Sequence, residues 1–189
     1  KARSCYYQSY TRGNVQAMVR YAMLDDSLEN RKSLLESAVS KGSIEAEYQL
    51  GILHAEYYEE LFHETQEEGL RAAAKHYQNA AQTGIPDALY RLGESYLDGN
   101  GITQSDRLAV DCFQKAAQKE HLGAMLELGV CYANGTGIPQ DYTKAVELYE
   151  KVAATGNAEA RYNLGLCYQY GVGVEKNFKK AVALYKEAM

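Results

Sequence analysis

Residues 124–145 read Ala124-Met-Leu-Glu-Leu-Gly-Val-Cys-Tyr-Ala-Asn-Gly-Thr-Gly-Ile-Pro-Gln-Asp-Tyr-Thr-Lys-Ala145. Ala124, Leu128, Gly129 and Tyr132 follow one another at spacings of four, one and three. At the helical period these positions share one arc, the pattern of a helix that buries one face. The pattern stops at Gly135-Thr-Gly137, where two glycines supply the backbone freedom that a reversing chain needs. A second periodic stretch starts near Asp141. The segment therefore predicts a helix, a glycine turn and a second helix.

The same frame recurs on both sides. Leu92-Gly93, Leu128-Gly129 and Leu164-Gly165 lie 36 residues apart, followed in register by Tyr96, Tyr132 and Tyr168. Gly99-Asn-Gly101-Ile102, Gly135-Thr-Gly137-Ile138 and Gly171-Val-Gly173-Val174 come next, then Ala109, Ala145 and Ala181. Each of those alanines precedes an aromatic residue by four places: Phe113, Tyr149 and Tyr185. Upstream, Leu50-Gly51 opens a copy 42 residues long, and Tyr21-Ala22 opens one of 29 that lacks the Gly-x-Gly turn. A composition of 17 Tyr, 16 Gly, 3 Phe and no Trp is what such reuse produces. The reading is one array over residues 1–189. Residues 1–13 are the second helix of a preceding unit, 14–43 a short unit and 44–84 an expanded unit. Residues 85–120, 121–156 and 157–189 are standard units, and the whole reads as a fragment of a longer chain.

Within a unit, Gly165 lacks a side chain and so admits the second helix closely, and Val174 plugs the space beneath the turn. The second helix turns Ala181, Leu184, Tyr185 and Ala188 inward. Asp106 and Asp141 stand near second-helix starts, where a carboxylate suits the unpaired backbone N–H groups. Glu120 stands where Gly42, Gly84 and Gly156 stand elsewhere, so that helix must close without a glycine. No segment has strand period. Neither helix of a pair buries its stripe alone, and stacking of neighbouring pairs does.

On these motifs, most clearly over residues 81–189, the chain resembles the Sel-1-like repeat family, a relative of the tetratricopeptide repeats with a longer Gly-x-Gly turn. The resemblance implies an all-α, right-handed superhelical solenoid of antiparallel helix pairs. It also implies an adaptor that scaffolds protein complexes, with no shared catalytic residues. A cysteine-rich branch of the family pairs a Cys of each second helix with one on the next first helix. Here Cys131 and Cys167 share one register, Cys112 lies in a second helix and Cys5 near the start, and no such framework follows. Buried free thiols are expected instead, which fits a reducing intracellular compartment.

Composition narrows the function classes. Twenty basic against 25 acidic residues, a formal net charge of −5, argues against nucleic acid, which is held by neutralising phosphates. No apolar run reaches membrane-spanning length. His54, His63 and His76 flank the expansion without a metal-ligand spacing, so neither a metal nor a cofactor is expected. No nucleophile, base or carboxylate pair stands in a catalytic frame, and the chain reads as a non-enzyme.

The expected function is protein–protein interaction, with a partner segment held in a concave groove lined by the first helices. Wheel positions opposite the Leu-Gly-Tyr face nominate Gln49, Ile52, Arg91, Glu94, Glu127, Asn163, Gln169 and Tyr170. Val130 and Leu166 share the register of Glu94, the one charge in that row. The expansion, within Glu56 to Glu68, nominates Tyr57, Tyr58, Glu59, Glu60 and Phe62 as an acidic patch with aromatic anchors for a basic partner. The plainer reading of that expansion is a lengthened, solvated helix end. The repeated tyrosines read as core, with Tyr170 outside the repeated set. Two further readings stay open: a regulatory or scaffolding repeat domain of a larger polypeptide, which could itself be an enzyme, and self-association through uncapped end units.

Overall fold

The computed structural model describes residues 2–189, and among these all regular structure is helical. The helices are α1 (Ala2–Thr11), α2 (Val15–Met23), α3 (Leu28–Ser40), α4 (Ile44–Glu56), α5 (Tyr58–Phe62) and α6 (Gln66–Ala81). They continue with α7 (Pro86–Asp98), α8 (Asp106–Ala117), α9 (Leu122–Asn134), α10 (Tyr142–Ala153), α11 (Ala158–Tyr170) and α12 (Phe178–Glu187). The chain forms two compact units, Lys1–Gln104 and Ser105–Met189. Within each, helices pack chiefly on their neighbours in sequence, the contact pattern of a helical repeat.

Most helix starts are fixed by a side chain that accepts a hydrogen bond from the first turn. Asn14, Ser27, Ser43, Thr65, Ser105, His121, Asp141, Asn157 and Asn177 all serve in this way. Asp141 accepts from the backbone of both Thr143 and Lys144, as its position suggested. Asp106 lies one place inside its helix, and Ser105 is the cap. First helices α7, α9 and α11 end on Gly99, Gly135 and Gly171, each left-handed. Glu120 takes the left-handed conformation too (φ +62°) without being glycine.

Two glycines of the motif do different work. A methyl group on Gly129 would lie 2.6 Å from the Tyr149 ring, and one on Gly165 would lie 2.5 Å from Tyr185. Gly51 is the seat of Tyr77 in the N-terminal unit. The glycine after Leu is therefore where a second-helix ring lands. The second glycine of the turn has a positive φ and no room at all. At Gly137 a methyl group would strike the backbone of Asp106, at Gly173 that of Tyr142, and at Gly101 that of Leu70. Each turn lies directly on the start of the preceding second helix in the C-terminal unit, and on α6 in the N-terminal one.

The C-terminal core gathers Leu126, Val146, Tyr149, Val152, Leu164 and Tyr168. The N-terminal core gathers Met18, Val19, Leu35, Leu50, Leu53 and Leu61. The short copy closes its first pair through buried Asp25. Its carboxylate accepts from the Ser27 N–H at 3.0 Å, and its carbonyl accepts from Arg31 at 2.8 Å. The repeated tyrosines are less uniformly core than their period suggests: Tyr168 is buried, Tyr96 and Tyr132 are half-buried, and Tyr162 is exposed.

The expansion is not a lengthened helix end. It forms the separate one-turn helix α5, which packs on α4 and α6 and closes at His63 in the left-handed conformation. Leu61 is buried, and the Phe62 ring stacks on His54 at 3.6 Å between centroids. Lys32 Nζ lies 4.4 Å over Phe62 and donates to the Leu61 carbonyl at 3.0 Å.

Candidate binding clefts

Each unit carries an open cleft at the same repeat position, between successive first helices and above a second-helix tyrosine. In the N-terminal unit α4, α6 and α7 enclose about 260 Å³, lined by Ala55, Tyr77, Arg91, Glu94, Asp98 and Asn100 among others. Arg91 Nη1 lies 3.1 Å from Glu94 Oε2, with the two side chains 45% and 33% exposed. Burial pushes the Tyr77 hydroxyl well above its ordinary pKa, so the floor of this cleft is a neutral phenol.

In the C-terminal unit α9, α10 and α11 enclose about 400 Å³. Val130, Ala133 and Leu166 line it with Tyr142, Tyr149 and Tyr170, and no charged side chain contributes. Asn134 and Asn163 bring the only side-chain amides to this lining, and neither amide hydrogen-bonds to another described group. Tyr170 stands 64% exposed at the edge. Cys167 belongs to the wall, where burial raises its thiol pKa.

The positions nominated from the wheel divide as follows. Arg91 and Glu94 meet in the N-terminal cleft, and Asn163 and Tyr170 meet in the C-terminal one. Ile52 is half-buried on α4, and Gln49 donates to Glu45 at 3.4 Å. Glu127 is half-buried on α9 and lines neither cleft. Gln169 accepts from the Tyr185 hydroxyl at 2.7 Å and so is turned towards the second helix. In the expansion Glu59 and Glu60 are exposed, whereas Tyr57, Tyr58 and Phe62 are half-buried and face α4 and α6. Tyr58 lies against the bare backbone of Gly69. The wheel did not nominate Tyr142 or Val172. Tyr142 aligns with Asp106 and Phe178 in the neighbouring copies, and that variability was the one signal for it.

Behind α5 lies a small titratable group. His54 Nδ1 sits 3.0 Å from Glu64, His76 Nδ1 sits 2.6 Å from Glu47, and the two imidazoles stack at 5.3 Å. Burial lowers the His54 pKa, opposed by Glu64 and reinforced by His76 and Lys32. Among the described residues no group of three or more His, Cys, Asp or Glu is placed to hold a metal ion. No helix there is long and apolar enough to cross a membrane. Cys112, Cys131 and Cys167 are buried free thiols, and burial pushes Cys112 and Cys131 up to about 11.

Comparison with known proteins places this geometry. The Sel1 repeat model matches residues 86–121, 123–157 and 158–188, together just over half of the chain. No curated protein matches it in sequence. Among solved structures it is similar to c5321, a protective antigen present in uropathogenic Escherichia coli strains and displaying an SLR fold. That match has 27% identity and a TM-score of 0.87, covering 98% of this chain and 40% of the antigen. A Sel1 repeat protein from Oxalobacter formigenes follows at 23% identity and TM-score 0.82, covering 93% and 70% of the two chains. A Sel1 repeat protein from Klebsiella pneumoniae matches at 20% identity and TM-score 0.62, covering 98% and 91%. The chain thus spans less than half the length of the E. coli antigen.

Proposed function

Because the chain belongs to the Sel1 repeat family, generally a non-catalytic repeat scaffold that binds proteins, we propose that it is an adaptor holding a partner segment in its first-helix clefts. One observation carries this reading. The same repeat position forms a cleft in both units, and the residues that build the fold are kept while those that line the cleft change. Leu-Gly and the second-helix tyrosine recur, yet Arg91, Glu94 and Asp98 are answered by Asn163, Leu166 and Tyr170 at the matching places. Packing asks for the first set. Only a counterpart outside the chain gives a reason for the second to differ, because these side chains are largely solvent-facing.

The adaptor works without a reaction step. Its clefts are shallow and open, suited to a linear segment rather than to an enclosed reacting centre. Gln49, Ile52, Glu127 and Gln169 belong to the proposed surface as its flanks. The acidic face of α5, with Glu59 and Glu60, is a secondary contact for basic side chains, and Tyr57, Tyr58 and Phe62 support it from beneath.

The test is capture from native lysate by the chain and by its Arg91→Ala/Glu94→Ala/Glu127→Ala variant, read by mass spectrometry alongside thermal melting. A partner held by the first and lost by the second, at equal melting temperature, supports the groove. A partner retained by both moves the site to α5. Capture of nothing by either favours the second reading, a regulatory repeat domain whose counterpart lies in cis. The greater length of the E. coli relative is the observation behind that alternative.

A further inference from the structure

The cleft of the C-terminal unit differs from its N-terminal counterpart in chemistry as well as in size, and the difference identifies what it takes. We infer that it binds an uncharged apolar anchor, a leucine-like or aromatic side chain of a partner peptide, while Asn163 and Asn134 engage the peptide main chain beside that anchor. This deepens the adaptor reading and rests on it.

Three observations converge. The lining supplies Val130, Leu166 and Tyr170 and no ionised side chain, so a charged anchor would lose its hydration without compensation. The volume of about 400 Å³ exceeds that of any single side chain. It therefore has room for a bulky anchor and part of the main chain that carries it. The two asparagines each offer a carbonyl acceptor and two N–H donors, and neither is engaged by another described group. Complementary groups at that spacing are what a peptide bond presents on either side of its side chain. In the N-terminal cleft the corresponding places hold Arg91 and Glu94, already paired at 3.1 Å, and the same anchor would have to lie against two ionised groups.

The probes are blocked single residues: N-acetyl-leucinamide, N-acetyl-phenylalaninamide, N-acetyl-lysinamide and N-acetyl-glutamic acid amide. Each is titrated into the whole chain while methyl and side-chain amide resonances are followed by NMR. For ligands of this size a dissociation constant of about 1–10 mM is expected. The two neutral probes should shift the methyl groups of Val130, Ala133 and Leu166 and the amides of Asn134 and Asn163. The two charged probes should bind at least about five-fold more weakly. Leu166→Gln should abolish the shifts. Asn163→Ala should weaken the neutral probes by about three- to ten-fold, the value of one neutral hydrogen bond. Circular dichroism melting of both variants establishes that they are folded, and Leu166 is only half-buried. Equal binding of charged and neutral probes, shifts confined to other surfaces, or no shifts at all would overturn the inference. Loss of a captured partner in the triple variant with no response to either neutral probe would leave the adaptor reading standing and remove this one. A cleft that takes both neutral probes in a chain that captures nothing supports this inference and counts against the adaptor.

Discussion

The N-terminal and C-terminal units are built from one motif, but they solve its two problems with different regularity. In the C-terminal unit the turn glycines, the ring-bearing glycines and the second-helix tyrosines all stand in register. In the N-terminal unit one copy replaces the turn by Asp25 and its hydrogen bonds, and the other inserts α5 beside α4 and α6. Both units still bring a tyrosine beneath a cleft. The comparison teaches that the cleft depends on the glycine-to-ring contact and tolerates variation in the connection. It also shows that cleft chemistry is free to vary once that contact is made.

The turn glycines are the sharpest place to break the comparison. Gly137→Ala and Gly173→Ala combine a left-handed backbone with a methyl group driven into the preceding helix. Each should cost about 3 kcal/mol or more in urea unfolding of the chain. Gly13→Ala has a positive φ but nothing within 4 Å of the added methyl group, so about 1–2 kcal/mol is expected there. Equal losses at all three would show that strain alone matters and that the turn-to-helix contact contributes nothing.

One step down are the glycines that seat the rings. Gly129→Ala and Gly165→Ala should each cost about 1–3 kcal/mol, since an aromatic ring must be displaced. The double variant Gly129→Ala/Tyr149→Leu should recover part of that loss. If it recovers none, the ring is not what the glycine accommodates.

Glu120 tests the comparison in the opposite direction. It holds the left-handed conformation that Gly42, Gly84 and Gly156 hold elsewhere. Glu120→Gly should therefore raise the unfolding midpoint, with a gain of about 1 kcal/mol after the added freedom of the unfolded chain is deducted. An unchanged or lowered midpoint would mean that the Glu120 backbone is not strained.

The smallest effects belong to charge. The folded pKa of His54 lies below its ordinary value of 6.5, chiefly through burial. Its contribution is therefore complete above the unfolded value and is lost as pH falls through the folded one. Melting temperature followed from pH 7.5 downward should decline in this window, and His54→Gln should flatten the decline. A steeper decline in the variant would reverse the assigned sign. Arg91→Ala should change stability by no more than about 0.5 kcal/mol, because the pair with Glu94 is substantially exposed.

Much of this architecture could be read from residues alone. The spacing of Leu128-Gly129 and Tyr132 identified a buried helical face, Gly135-x-Gly137 located the reversal, and Glu120 was recognised as an irregular helix end. Less of the site was legible. The wheel brought Arg91 to Glu94 and Asn163 to Tyr170, yet it also nominated Gln169, whose carbonyl is held by Tyr185. It credited Tyr57, Tyr58 and Phe62 with exposure that their contacts with α4 and α6 remove. Tyr142 escaped because its position in the repeat varies from copy to copy.

The physical reason is a difference in range. Helix periodicity and glycine placement are local, set by steric limits on a few consecutive residues, so the order of helices and turns was present in the chain as written. Which face meets which neighbour depends on residues tens of positions apart. Tyr149 landing on Gly129, the Gly137 turn resting on Asp106 and Phe62 folding back onto His54 are packing outcomes. They could be found only once the helices were set against one another in three dimensions.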